Sequence, residues 1–192
     1  MPAPNPAAME FLLTRRSRPA KTLTGPAPDH EALMPILLAG ARTPDHGKLE
    51  PWRFIVLEGT ALVRLAALVD ARGTALALET DKTEKMHRQF ADADLAVAVV
   101  SAPKPSDKVP EIEQVLSAGA VCLSMLNAAL ASGWGANWLT GWAAHDRVFL
   151  RDGLGLSETE SIAGFIHIGT ETNAPPERPR PDVDAITQWV GA

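Results

Sequence analysis

The chain is poor in the residues that usually announce a chemistry. It has one cysteine, Cys122, so no disulfide can form within the chain. Cys122 lies in the apolar run Val121-Cys122-Leu123, where a thiol packs as a small hydrophobe, and this usage fits a reducing compartment. The five histidines, at positions 30, 46, 87, 145 and 167, form no His-Glu-x-x-His pattern, and there is no Cys-x-x-Cys pair. A metal site is therefore not expected. A Gly-x-Ser-x-Gly elbow and a Walker loop are both missing. The pairs Gly133-Trp134-Gly135 and Gly153-Leu154-Gly155 follow no expected strand, so a dinucleotide-binding turn is poorly supported. Basic residues are in deficit, with 18 Lys and Arg against 23 Asp and Glu and a net charge of −5, which disfavours nucleic acid as a partner. No charge-free apolar run reaches the about 18 residues that suggest a membrane span. The opening stretch, Met1 to Ala8, lacks a basic start and a long apolar segment, so a signal peptide is not expected and the cytoplasm is the default location.

What the chain does contain is apolar periodicity at ordinary globular levels, with 46% hydrophobic and 21% charged residues over 192 positions, which suits one core. One domain over 9–192 is expected, with 1–8 disordered. Helical spacing covers Met9 to Arg15, ending in Arg15-Arg16-Ser17-Arg18 and stopped by Pro19. Asp29 suits an N-cap before a helix face of Leu33, Ile36, Leu37 and Gly40, in which Pro35 predicts a late start or a kink. Trp52 to Leu57 reads as a strand, followed by a helix with Leu62, Leu65, Ala66 and Val69 inward. Asp81 to Ala91 predicts an exposed helix, and Leu95 to Val100 a buried strand.

From about Glu111 to Ser132 a long helix is apolar nearly all round, which predicts burial on every side, with a partner subunit covering part of it. Gly133 ends it. A short strand is expected at Asn137 to Thr140, a short helix from Asp146 to Arg151 stopped by Gly153, and a strong strand at Ile162 to Ile168. The prolines of Pro175 to Pro181 demand an extended tail, and Asp184 to Val190 is compatible with a last short element. About four strands and six helices that do not alternate strictly point to an α+β fold, helices over a mixed or antiparallel sheet.

The chemistry rests on arginines in unusual places. Arg15-Arg16-Ser17 offers paired guanidinium donors and a hydroxyl, a set suited to phosphate; the same residues also suit a solvated helix end. A second cluster runs Arg42-Thr43-Pro44-Asp45-His46-Gly47-Lys48-Leu49-Glu50-Pro51-Trp52-Arg53-Phe54. This loop enters a strand at Pro51-Trp52 and can present Arg42 and His46 to a polar ring edge, or serve as strand-entry packing.

In order and spacing these pieces resemble the nitroreductase family. The resemblance rests on Arg15-Arg16-Ser17, the Pro44 to Phe54 strand entry, the Ser117-Ala118-Gly119 helix, Gly133-Trp134-Gly135, and the ending Gly164 to Thr170. The details Ala39-Gly40-Ala41-Arg42-Thr43-Pro44-Asp45-His46 and Asn137-Trp138-Leu139-Thr140-Gly141 are similar to its small YdjA-type branch, over about residues 9 to 190. The resemblance implies a three-layer fold and a homodimer holding FMN between its subunits, with a C-terminal tail reaching the partner. By that resemblance Arg15, Arg16 and Ser17 hold the phosphate and ribityl end, and Arg42 and His46 contact the flavin from the other subunit. Trp138, Leu139 and Thr140 form a second flavin segment. Arg180, or its rival Arg178, binds the phosphate, and Ala128, Ala129, Leu130, Ala131, Ser132 and Gly133 match a stretch for NADH or NADPH. Lys48 and Glu50 depart from the amide-bearing Asn-x-Gln-Pro-Trp pattern. The implied activity is hydride transfer from NAD(P)H through the flavin to a nitroaromatic, quinone or related acceptor. No dedicated catalytic side chain is implied, because the cofactor carries the chemistry. A flavin-binding sensor or storage module, and a flavin-free interaction protein, remain open alternatives.

Overall fold

A computed structural model describes residues 3–191. Helix α1 spans Pro6–Thr14, with Asn5 accepting a bond from the Ala8 N–H at 3.1 Å. It starts three residues ahead of Met9, so the expected disorder over 1–8 does not hold from Pro6 onward; Met1 and Pro2 lie outside the described residues. A proline in the first turn and an Asn cap explain the earlier start, because neither needs a donor from the residue before. Strand β1 is the short Leu23–Thr24, in a stretch whose polar, proline-bounded sequence reads as a turn.

Helix α2 spans His30–Gly40 and is capped by Asp29, whose Oδ1 accepts from the Ala32 N–H at 2.9 Å. It starts at the cap and runs through Pro35, so the late start does not occur. Strand β2 is Trp52–Glu58, helix α3 Thr60–Ala75, helix α4 Thr80–Ala91 and strand β3 Leu95–Ser101. Helix α5 is Glu111–Ala131, strand β4 Gly135–Leu139, helix α6 Arg147–Leu154 and strand β5 Ser161–Glu171. Helix α6 ends at Gly155, which takes the left-handed conformation at φ 67°. Gly153, expected as the stop, is buried inside the helix, where a Cβ would press on Leu65 and Leu68.

The five strands pair antiparallel throughout, in the order β1-β5-β3-β2 with β4 also on β5. Alternation along β3 divides the core. Ala96, Ala98 and Val100 face α3, α4 and α6, while Leu95, Val97 and Val99 face α2 and α5. Period-two pleating places successive side chains on opposite faces, so one wholly buried strand serves both layers and the result is helix–sheet–helix.

Two further expectations are corrected. Helix α4 is not simply exposed: Met86 and Phe90 are buried, and Phe90 packs edge-on to Phe165 with centroids 5.3 Å apart. Helix α5 leaves Ile112, Leu116 and Leu123 exposed in the single chain, where the sequence reading expects a partner subunit to cover it. Helix α5 is long and apolar enough to cross a membrane by length and composition, but 44% of its most apolar window is buried inside the fold, as in a core helix. Finally, 184–190 forms no helix or strand, only a turn over 183–186.

Candidate functional site

Helix α1 stops at Thr14, and the next residues form a basic corner. Arg15 Nη2 donates to Ser17 Oγ at 2.8 Å. Arg16 Nη1 lies 3.5 Å from Glu177 Oε1, within Coulomb reach but not hydrogen-bonded, while Arg180 Nε donates to the same oxygen at 2.9 Å. The tail thereby brings Arg180 to the corner. Burial lowers the pKa of Arg15, and the neighbouring charges of Arg180, Arg16 and Arg18 lower it further. Like charges held this close disfavour one another, and a bound anion would offset that repulsion. Two nitrogens, Arg15 Nε and Arg16 Nη1, are buried without a hydrogen-bond partner, and such orphaned donors are costly unless a ligand satisfies them.

Next to this corner, β4 carries Trp138 and Leu139, with Thr140 just beyond its end. The Trp138 ring lies across β5: its Nε1 donates to the Ala163 carbonyl at 3.2 Å. A Cβ on Gly164 would fall 2.0 Å from that nitrogen, so only glycine admits the ring there. The Thr140 carbonyl accepts from Gln89 Nε2 of α4 at 3.4 Å. A cleft of about 460 Å³ opens between α4 and this edge of the sheet, lined by Lys21, Lys85, Arg88, Gln89, Leu139 and His167 among others. Sequence reasoning missed Lys21, Gln89 and His167, which carry no motif and meet only through the fold.

His167 is central in β5, opposite Ala96 and Asn137. Its Nε2 is buried without a partner, and burial pushes its pKa down to about 4 from 6.5. The unfolded chain therefore takes up a proton below about pH 6.5 that the fold refuses, and stability falls progressively toward about pH 4. His167→Phe is expected to flatten that part of the acid limb. Melting temperatures compared at about pH 8 and about pH 5 check this; an identical slope in both proteins would reject a buried neutral imidazole.

The loop of Arg42 and His46 sits elsewhere, laid along α5. Thr43 Oγ1 donates to Ser124 Oγ at 3.0 Å, Ser117 Oγ donates to the Pro44 carbonyl at 2.9 Å, and His46 Nδ1 lies 2.7 Å from Glu113 Oε2. Arg42 is exposed, and its side chain has no hydrogen bond or ion pair with any described residue. Lys48 and Glu50 hold positive φ, 54° and 47°, a region L side chains seldom enter, and they form no ion pair with one another. One chain therefore unites Arg15, Arg16, Ser17 and Arg180, sets Trp138 to Thr140 beside them, and leaves Arg42 and His46 on a separate support.

Residues 128–133 close α5. Ala129 is buried, Ala128 and Leu130 are half-buried in the core, and Ala131, Ser132 and Gly133 are exposed, Gly133 at φ 85°.

A family model described as the nitroreductase family matches residues 12–170. A protein of Escherichia coli K12 bearing the provisional name NAD(P)H nitroreductase YdjA is 37% identical over 163 residues, 85% of this chain and 87% of that protein. Among solved structures, a nitroreductase-like family protein from Bacillus cereus superposes with a TM-score of 0.81 at 20% identity, covering 100% of both chains. An FMN- and NADPH-dependent nitroreductase, NfnB from Sphigopyxis sp. strain HMH, gives 0.72 at 20% identity over 96% of this chain and 99% of that one. At such identities the two structures speak for the fold.

Proposed function

Because the chain belongs to the nitroreductase family, we propose that it is an FMN-dependent oxidoreductase, working as a homodimer, that passes electrons from NADH or NADPH to nitroaromatic, quinone or related small acceptors. The observation that carries this reading is the basic corner. Arg15, Arg16, Arg18 and Arg180 face only Glu171 and Glu177, an excess of two positive charges. A phosphate monoester brings about −1.5 to −2 at neutral pH and three strong acceptors, so the residues present fit that end of FMN.

When bound, FMN accepts a hydride from the nicotinamide and hands electrons to the acceptor. The protein holds, orients and tunes. Arg15, Arg16, Ser17 and Arg180 would bind the phosphate; Trp138, Leu139 and Thr140 would flank the ring beside the cleft. Arg42 and His46, carried outward on α5, would reach the flavin of the partner subunit. Arg42 and Lys48 supply positive charge that favours negative charge developing on a bound ring. Residues 128–133 would meet the nicotinamide nucleotide, donor and acceptor using the open face of the cleft in turn. The homodimer is supported by unpartnered apolar surface: Ile112, Leu116 and Leu123 along α5, and Ile186, Trp189 and Val190 in the tail, Trp189 at 89% exposure. Surface of this kind marks an interface, and the tail is free to lie across a neighbour.

The test is spectroscopic. Protein purified after expression with excess FMN should be yellow, absorbing near roughly 450 nm, and should bleach on anaerobic addition of NADH or NADPH. Colourless protein would reject the reading. Yellow protein that neither nucleotide reduces would point instead to a flavin-binding sensor or store.

A further inference from the structure

Residues 15–19 belong to no helix or strand, yet they must hold two guanidinium groups to a fraction of an ångström to be useful. The structure shows what holds them. The Arg18 N–H donates to the Ala136 carbonyl at 2.8 Å, and the Arg18 carbonyl accepts from Asn137 Nδ2 at 2.6 Å. Its Nε donates to Glu171 Oε2 at 2.7 Å, and its Nη1 donates to the Arg16 carbonyl at 3.1 Å. Ala136 and Asn137 belong to β4 and Glu171 ends β5, and those strands pair side by side. One residue therefore bolts the corner to two strands and returns to grip the backbone of Arg16.

The guanidinium of Arg18 is already engaged. Glu171 neutralises it, and both partners are mostly sheltered, at 23% and 27% side-chain exposure. Its remaining contact is with a carbonyl, not with open space. Arg15 and Arg16, by contrast, keep buried nitrogens without partners. Neighbouring arginines thus have different tasks: two present free donors, and one is consumed in placing them.

We propose, resting on the flavin reading above, that Arg18 is a positioning residue that confers preference for a phosphorylated flavin over the same flavin without its phosphate. It acts through the Arg16 backbone and does not touch the ligand. Its partner Glu171 shares that role despite its negative charge.

The two explanations for any Arg18 effect predict opposite signs at Glu171. If Arg18 attracted the phosphate by charge, Glu171→Gln would free the guanidinium, remove a repulsive carboxylate and tighten FMN binding. If Arg18 positions the corner, the same isosteric change loosens the brace and weakens FMN binding. The experiment is titration of the flavin-stripped full chain with FMN and with riboflavin, read by quenching of flavin fluorescence, for wild type, Arg18→Met, Arg18→Lys and Glu171→Gln. The expected result is about tenfold weaker FMN binding in Arg18→Met and Glu171→Gln, as for loss of a charge-assisted hydrogen bond. Riboflavin affinity should stay within about twofold, and Arg18→Lys should fall between. Tighter FMN binding by Glu171→Gln, equal losses for both flavins, or no change in Arg18→Met would each overturn the assignment. Wild-type protein binding neither flavin would instead overturn the function on which it rests.

Discussion

Replacing Arg15 and Arg16 together with alanine is expected to weaken FMN binding by roughly a hundredfold or more, each guanidinium–phosphate contact contributing about 1.5–3 kcal/mol. The same change should not destabilise the ligand-free protein. Burial and the charges of Arg180 and Arg18 already work against Arg15 in its charged form. Removing two crowded cations relieves that repulsion and eliminates buried nitrogens that lack partners. Binding and stability should therefore move apart: the melting temperature without FMN holds or rises, while the gain on adding FMN disappears. Thermal melts at several FMN concentrations, with and without added salt, read both quantities. A double variant that melts lower without ligand yet keeps the full FMN-induced gain would show that the corner serves the fold and not the cofactor.

The largest effect on stability is expected at Phe90. Its ring is fully buried, edge-on to Phe165 at 89° and tilted against Phe149 with centroids 5.7 Å apart. Phe90→Ala should cost about 3–5 kcal/mol, combining lost transfer energy with a cavity that packed neighbours cannot fill. Against the few kcal/mol that hold a domain of this size together, that is a large share. The consequence reaches the site, because Phe90 anchors the helix whose preceding side chain, Gln89, bonds to the Thr140 carbonyl and whose Lys85 and Arg88 wall the cleft. Denaturant unfolding measures the cost; a loss below about 1 kcal/mol would mean the aromatic cluster is not the keystone of that layer.

Much of the fold was legible because short-range rules govern it. Asp29 caps its helix as an N-cap should, and the apolar run Leu95 to Val100 is buried on both faces as its composition requires. The errors have equally physical causes. Helix α4 looked exposed because its charges dominate any average, while two apolar residues four apart, Met86 and Phe90, were enough to seat it. Gly153 looked like a terminator, yet its lack of a side chain serves close packing against Leu65 and Leu68; the left-handed turn falls to Gly155. Strand β1, two residues long, has no period to detect. At the site, the arginine motif was visible, but the rivalry between Arg178 and Arg180 was not resolvable, since an extended tail carries no periodicity. The structure pairs Arg180 with Glu177, which lies 3.5 Å from Arg16.

By itself, the order of residues determined most of the secondary elements, the α+β class and the family, because helix and strand periods, caps and ordered motifs are written in near neighbours. Only the tertiary structure decided that Arg18 braces the corner through Glu171, that His167 sits beneath the cleft, and that the loop of Arg42 rides on α5. Those partners are separated by many residues of chain, and no local pattern encodes a contact made when β4 and β5 come together.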